Sequence, residues 1–339
     1  MADLKTTYMG IPLRNPLIVG ASPLTANIDS IKQIEEMGAG ALVTHSLFEE
    51  EIQLERFEFD EALHREDGRS AEMVTVFPAM EHGGPKEHLA WVKQAKEAVR
   101  IPVFASLNAV NQETWLHYAK LLEDTGVDGL ECNLFASPKD PQQEGAAVEL
   151  GQLELIEALA NTISIPISVK LSFFYANPLN VIHRMDEAGA SAFVLFNRLF
   201  EPDIDAKQEA QTFSINLSHE TDNRLPLRYA GLLEGTIKAD ICSSTGISTG
   251  EDMAKMILAG ATTVQTVSTL LRHKITYIQT LLKDLEAWMD AHDYSTLSAF
   301  RGNLSQRHST DPWMYTRAQY VKLLMTSEGI MSKPSIRKD

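Results

Sequence analysis

One phrase recurs four times along the chain, and the recurrence leaves few folds open to it. Met37-Gly38-Ala39-Gly40-Ala41-Leu42-Val43-Thr44 returns as Thr125-Gly126-Val127-Asp128-Gly129-Leu130-Glu131-Cys132-Asn133. It returns again as Ala188-Gly189-Ala190-Ser191-Ala192-Phe193-Val194-Leu195-Phe196-Asn197 and as Ala259-Gly260-Ala261-Thr262-Thr263-Val264-Gln265-Thr266. Each copy is a helix stopped by glycine, then an apolar run of strand length. In Ile101-Pro102-Val103-Phe104 and Ile165-Pro166-Ile167-Ser168-Val169-Lys170 a proline ends the preceding helix before a strand begins. The pattern predicts strands over Leu17–Gly20, Ala41–Thr44, Val103–Ser106, Gly129–Asn133, Ile167–Lys170, Ala192–Phe196, Ile241–Ser243 and Thr263–Thr266. It predicts helices near Ile28–Met37, Pro85–Val99, Gln112–Asp124, Glu144–Thr162, Asn177–Ala188, Gly250–Leu258 and Thr269–Ala291. Alternating βα units mean a parallel sheet with helical crossovers. Eight of them predict an α/β chain folded as a TIM (β/α)8 barrel, whose chemistry sits at the carboxyl ends of the strands.

Around that barrel the sequence predicts three additions. Thr7-Tyr8-Met9-Gly10-Ile11-Pro12-Leu13 has the form of a hairpin able to plug the amino-terminal floor. Ser46–Gly84, after the second strand, and Arg198–Ala239, after the sixth, exceed plain barrel loops and suit lids or small extra strands. Residues 1–305 are expected to form the barrel and 306–339 a carboxyl-terminal extension, in which Trp313, Met314, Tyr315 and Tyr320 suggest packing on the body or on a second subunit.

The 339 residues carry a formal net charge of -16, which disfavours nucleic acid as a partner, since a phosphate-backbone binder needs a basic footprint. Two cysteines, Cys132 and Cys242, exclude a disulfide scaffold and a cysteine metal site, and are expected as buried thiols of a cytoplasmic protein. There is no signal-peptide pattern at the start and no apolar run of about 18 residues, so no membrane partner is expected. The Glu49-Glu50-Glu51 run is expected as a solvated face.

The strand ends supply Ala21, Ser22, Thr44, His45, Ser46, Asn108, Asn133, Lys170, Asn197, Thr245, Gly246, Ser268 and Thr269. This set is rich in amides and hydroxyls. It lacks the acid pair of glycoside hydrolysis and the clustered ligands of a metal site. It suits a large heteroaromatic ligand with a phosphate. The turns at Thr245-Gly246 and Ser268-Thr269 lie where such barrels bind phosphate through backbone N–H groups. Lys170 ends a strand and needs an anionic or electron-rich partner. It could stabilise charge on a cofactor ring or serve as a Schiff-base amine. Asn133 with Ser137 could hold a substrate beside a weak base, or simply close the strand as an Asx turn.

These residues, taken in order, resemble the dihydroorotate dehydrogenase family of FMN barrels. The likeness rests on Gly10-Ile11-Pro12-Leu13-Arg14-Asn15-Pro16-Leu17 with Gly20-Ala21-Ser22, on Leu130-Glu131-Cys132-Asn133-Leu134 with Ser137-Pro138, and on Val169-Lys170-Leu171. It extends through Thr245-Gly246-Ile247, Thr249-Gly250, Ala259-Gly260-Ala261 and Gln265, matched to the phosphate end. The resemblance implies FMN across the barrel mouth, its phosphate on Thr245, Gly246, Ser268 and Thr269, and Lys170 at the flavin N1/O2 edge. Asn108, Asn133 and Asn197 would bind flavin or a planar small-molecule substrate, and Ser137 would take its C5 proton. The implied reaction oxidises dihydroorotate to orotate, a step of pyrimidine biosynthesis, or a related dihydropyrimidine. The chain departs from the family at His45, where the family has a flavin lysine, and in a base loop one residue longer. A lysine-dependent lyase using Lys170 and a non-catalytic flavin-binding relative are the alternatives. A homodimer and an electron-transfer partner complete the partner expectations.

Overall fold

The computed structural model describes residues 2–53, 85–135, 140–198, 202–212 and 217–325. Its centre is a closed barrel of eight parallel strands. Chain order gives the hairpin strands β1 (Thr6–Tyr8) and β2 (Ile11–Leu13), then the first six barrel strands. These are β3 (Leu17–Val19), β4 (Ala41–Phe48), β5 (Val103–Asn108), β6 (Gly129–Leu134), β7 (Ile167–Leu171) and β8 (Ala192–Leu195). The ribbon strands β9 (Asp203–Asp205) and β10 (Ala210–Thr212) follow, and β11 (Asp240–Ser244) and β12 (Thr263–Thr266) complete the barrel. Closure comes from β11 pairing β8 on one side and β12 on the other, with β12 then pairing β3.

Strand alternation sorts the side chains into two cores. Leu17, Val19, Leu130, Cys132, Val169 and Leu171 face outward into the helical shell. Ile18, Ala41, Val43, Phe104, Val194 and Cys242 face inward, where Tyr8, Met9 and Leu13 of the hairpin join them. The hairpin is therefore the floor plug the sequence predicts. Its turn residues Met9 and Gly10 have φ of 53° and 77°, as a two-residue type I′ turn requires. The amide of Met9 donates to Asp240 Oδ2 at 2.8 Å, which ties the plug to β11.

The helices are α1 (Ile28–Glu36), α2 (Pro85–Ala98), α3 (Gln112–Glu123), α4 (Gly145–Thr162), α5 (Pro178–Glu187) and α6 (Arg224–Leu233). They continue as α7 (Gly250–Ala259), α8 (Ser268–His273), α9 (Ile278–Ala291) and α10 (Ala318–Met325). Asn111 and Thr249 cap α3 and α7, each side chain accepting a backbone N–H of the first turn.

Three expectations need correction. The single helix expected over Thr269–Ala291 is broken: Lys274 has φ of 70°, so α8 stops there and a 3-10 turn leads into α9. The stretch after β8 holds the β9–β10 ribbon and also α6, a full helix that no glycine–strand phrase announces. The glutamate run is not simply a solvated face. Glu49 is buried, and its carboxylate accepts the backbone N–H groups of Val110 and Asn111 and the Asn111 side-chain amide. Both cysteines are buried free thiols, as expected. No helix among the described residues is long and apolar enough to cross a membrane.

Candidate active site at the barrel mouth

Lys170 is the centre of the site. Cys132 and Val169 face the shell, so their neighbours Glu131 and Lys170 face the barrel interior. Lys170 is 7 % exposed and Glu131 2 %. Lys170 Nζ donates to Gln265 Oε1 at 3.0 Å and lies 3.5 Å from Glu131 Oε1. Gln265 Nε2 donates to Glu131 Oε2 at 2.8 Å, which closes a triangle of side chains from β6, β7 and β12. Gln265, matched by resemblance to the phosphate end, thus points into the barrel. Gly20 makes room for it: a Cβ there would meet Gln265 Oε1 at 2.8 Å and its Cγ at 2.9 Å.

Asn133 stands beside Lys170 in the β6–β7 register. Asn197 donates its Nδ2–H to Asn133 Oδ1 at 2.9 Å, and its backbone N–H to Leu171 O at 2.7 Å. Two of the predicted amides are thereby joined next to the lysine, while Asn108 ends β5 on the same rim. Ser46 Oγ and Ser106 Oγ share a 2.7 Å hydrogen bond, and Thr44 Oγ1 accepts the Ser106 N–H at 3.2 Å. Thr44 and Ser46 therefore link β4 to β5 across the irregular register between Val43 and Ser46. The His45 ring packs edge-on against His88 and Trp91 of α2, with centroids 4.6 and 4.3 Å away. Burial, with His45 beside it, pulls the His88 imidazole down to about 3. Ala21 packs on the inner core, and Ser22 Oγ is buried without a hydrogen-bond partner among the described residues. Ser137 lies outside the described residues.

At the other side of the mouth, Thr245 and Gly246 have φ of 79° and 74°. A Cβ on Gly246 would meet Asn223 N at 2.6 Å and His219 O at 2.8 Å, so only glycine fits. The returning chain at 217–223 lies over this turn. Ser218 Oγ accepts the Gly246 N–H at 3.3 Å, and the Ser218 N–H donates to Ser268 Oγ at 3.1 Å. Arg272 of α8 holds the same stretch through the carbonyls of Ser218 and Leu217 at 2.5 and 3.0 Å. Thr269 Oγ1 donates to Ile247 O at 2.5 Å, locking the loops after β11 and β12 together. A cleft of about 360 Å³ opens beside Asn197 and Thr245, walled by Phe173, Phe174, Phe196 and Arg224.

Sequence reasoning missed Glu131, the inward role of Gln265, and Ser218 with Arg272. Glu131 was within reach, because it lies two residues before Asn133 on one strand and must share its face. Ser218 and Arg272 carry no local signal, since only the tertiary fold brings them to the turn.

Fold and site together define a (β/α)8 barrel with a buried, carboxylate-paired lysine under an amide-rich mouth. No family model matches the chain. It is 27% identical over 322 residues to the catalytic subunit of dihydroorotate dehydrogenase B (NAD(+)) of Thermoplasma volcanium, covering 89% of this chain and 98% of that one. It is 21% identical over 334 residues to the chloroplastic dihydropyrimidine dehydrogenase (NADP(+)) of Arabidopsis thaliana, covering 91% and 78%. Over 324 residues it is 21% identical to the NAD-dependent dihydropyrimidine dehydrogenase subunit PreA of Escherichia coli, covering 88% and 76%. The chain is a divergent relative of these dehydrogenases, an oxidoreductase of the dihydroorotate dehydrogenase type.

Proposed function

We propose that the chain is an FMN-dependent dehydrogenase that oxidises the 5,6 carbon–carbon bond of dihydroorotate or a related dihydropyrimidine. The observation that carries this reading is the Lys170 ammonium, buried at a strand end and pointed into the barrel beside Asn133 and Asn197. One buried donor fits a bound ligand: Ser22 Oγ has no partner among the described residues, whereas the Gly246 N–H is already held by Ser218 Oγ under the 217–223 stretch. By the resemblance the phosphate would fall to backbone N–H groups of Thr245, Ser268 and Thr269, with the Gly246 N–H held by Ser218 Oγ. Ala21, Ser22, Ser46 and Asn108 would line the ring, whereas Thr44 is taken up by the β4–β5 contact and His45, expected as a cofactor contact, packs on α2 instead. Bound FMN supplies a two-electron acceptor. Lys170 would present a buried positive charge to a ring bound there, favouring the negative charge that reduction adds to it. Asn133 and Asn197 orient the substrate's amide and carboxylate groups, and Ser137 takes the C5 proton.

The same lysine geometry weighs against a lysine-dependent lyase. A Schiff base needs a free neutral amine, whereas Lys170 is held as the donor to Gln265 and the ion partner of Glu131. The test is a visible spectrum of the purified protein after incubation with FMN, followed by anaerobic mixing with dihydroorotate and, separately, dihydrouracil. A band near about 450 nm that bleaches with either substrate is expected. Lys170→Met should keep the band and slow bleaching about 100-fold or more. A protein that stays colourless in excess FMN would remove the reading.

A further inference from the structure

We infer that Glu131 and Gln265 are positioning residues that fix the direction of Lys170, and that the Glu131 carboxylate sets how strongly Lys170 draws electrons onto the bound ring. The inference rests on the flavin reading above and deepens it. Lys170 has three ammonium donors. Gln265 Oε1 takes one at 3.0 Å, and Glu131 Oε1 stands 3.5 Å from the nitrogen. Among the described residues one N–H of Lys170 is left for a ligand. Glu131 cannot swing away, because its second oxygen accepts Gln265 Nε2–H at 2.8 Å. Gln265 in turn sits in the space left by the missing Cβ of Gly20. A single ammonium on a flexible stem is thereby tied to two strands other than its own.

The charge consequence follows from burial. Glu131 and Lys170 are both nearly inaccessible, so water screens their fields weakly and each acts at full range on a neighbouring ring. Glu131 and Lys170 together are neutral, and the attraction that Lys170 offers to negative charge is tempered by the carboxylate beneath it. Removing the carboxylate charge should make the ring more electron-accepting, and adding a second should make it less so.

The measurement is sulfite affinity of FMN-loaded protein, read by bleaching of the flavin band without any substrate. Sulfite addition places negative charge on the ring, so it reports the local field. Glu131→Gln should lower the sulfite dissociation constant about tenfold, and Gln265→Glu and Lys170→Met should each raise it about tenfold. Glu131→Asp, which keeps the charge, should stay close to wild type. A merely structural role would move all four variants in one direction. Equal affinities in Glu131→Gln, Gln265→Glu and wild type would overturn the inference while the flavin reading stands. Wild-type protein that refuses FMN overturns both. On flavin-free protein, a double-mutant denaturation cycle of Glu131→Gln with Lys170→Met should show coupling, and strict additivity would overturn the positioning role.

Discussion

Gly20 shows how one missing methyl group organises the site. The strand phrase around it places it at the end of a barrel strand, but nothing local says that a side chain from the last strand occupies its space. Alanine there would press on Gln265 at 2.8 to 2.9 Å. The neighbour is a side chain and can shift, so the strain is relieved by displacing Gln265 from Lys170 and Glu131. Gly20→Ala is expected to cost about 1–3 kcal/mol of stability in urea unfolding. In a Gln265→Ala background the same change should cost under about 0.5 kcal/mol, because the clash is gone. Equal costs in both backgrounds would show that the strain lies elsewhere. Gly246 is different in kind: its positive φ and its approach to the backbone of Asn223 and His219 leave nothing flexible to move.

Among the elements, the barrel strands were the most legible, because a buried parallel strand is a continuous apolar run and a glycine marks the helix before it. Only their ends shifted, as in β4, which runs on to Phe48. The helix α6 escaped notice because it follows a ribbon rather than a glycine–strand phrase, and the break at Lys274 because a lysine at positive φ carries no sequence mark. The amides and Lys170 were legible from strand parity alone. Their partners were not, since Glu131 and Gln265 meet across 134 positions of sequence. The contact of α2 with β4 carries a pH dependence of its own. His88 is buried against His45, its Nε2 has no hydrogen-bond partner among the described residues, and its imidazole is drawn down to about 3. An unfolded-state histidine takes up its proton near about 6.5. Between those two values the unfolded chain binds more protons than the folded one, so stability is complete above the upper value and falls as pH drops through the window. His88→Leu should flatten urea midpoints between pH 6.5 and 4 relative to wild type. A slope unchanged by that substitution would place the proton uptake on other groups.

At the scale of the molecule, the two thiols report on opposite sides of one wall. Cys132 faces the helical shell and Cys242 the barrel interior, and both are inaccessible. Burial, reinforced by the nearby Glu131 carboxylate, raises both thiols, that of Cys242 to about 12. The thiolate is the reactive form, so neither should react with an alkylating reagent in the native state at pH 8. Reaction must wait for opening. If the shell could lift off while the strands stayed closed, Cys132 would be modified first. Strand closure around the full ring, however, leaves no free edge, and the outward strand side chains are the surface on which the helices pack. Shell and barrel should therefore open as one unit. In moderate urea, below the unfolding midpoint, Cys132 and Cys242 should be alkylated with a single shared rate constant, resolved by peptide mass spectrometry. Two rates differing more than about tenfold, with Cys132 the faster, would mean that the helices release independently and that the barrel, with its Glu131–Lys170–Gln265 centre, holds together without them.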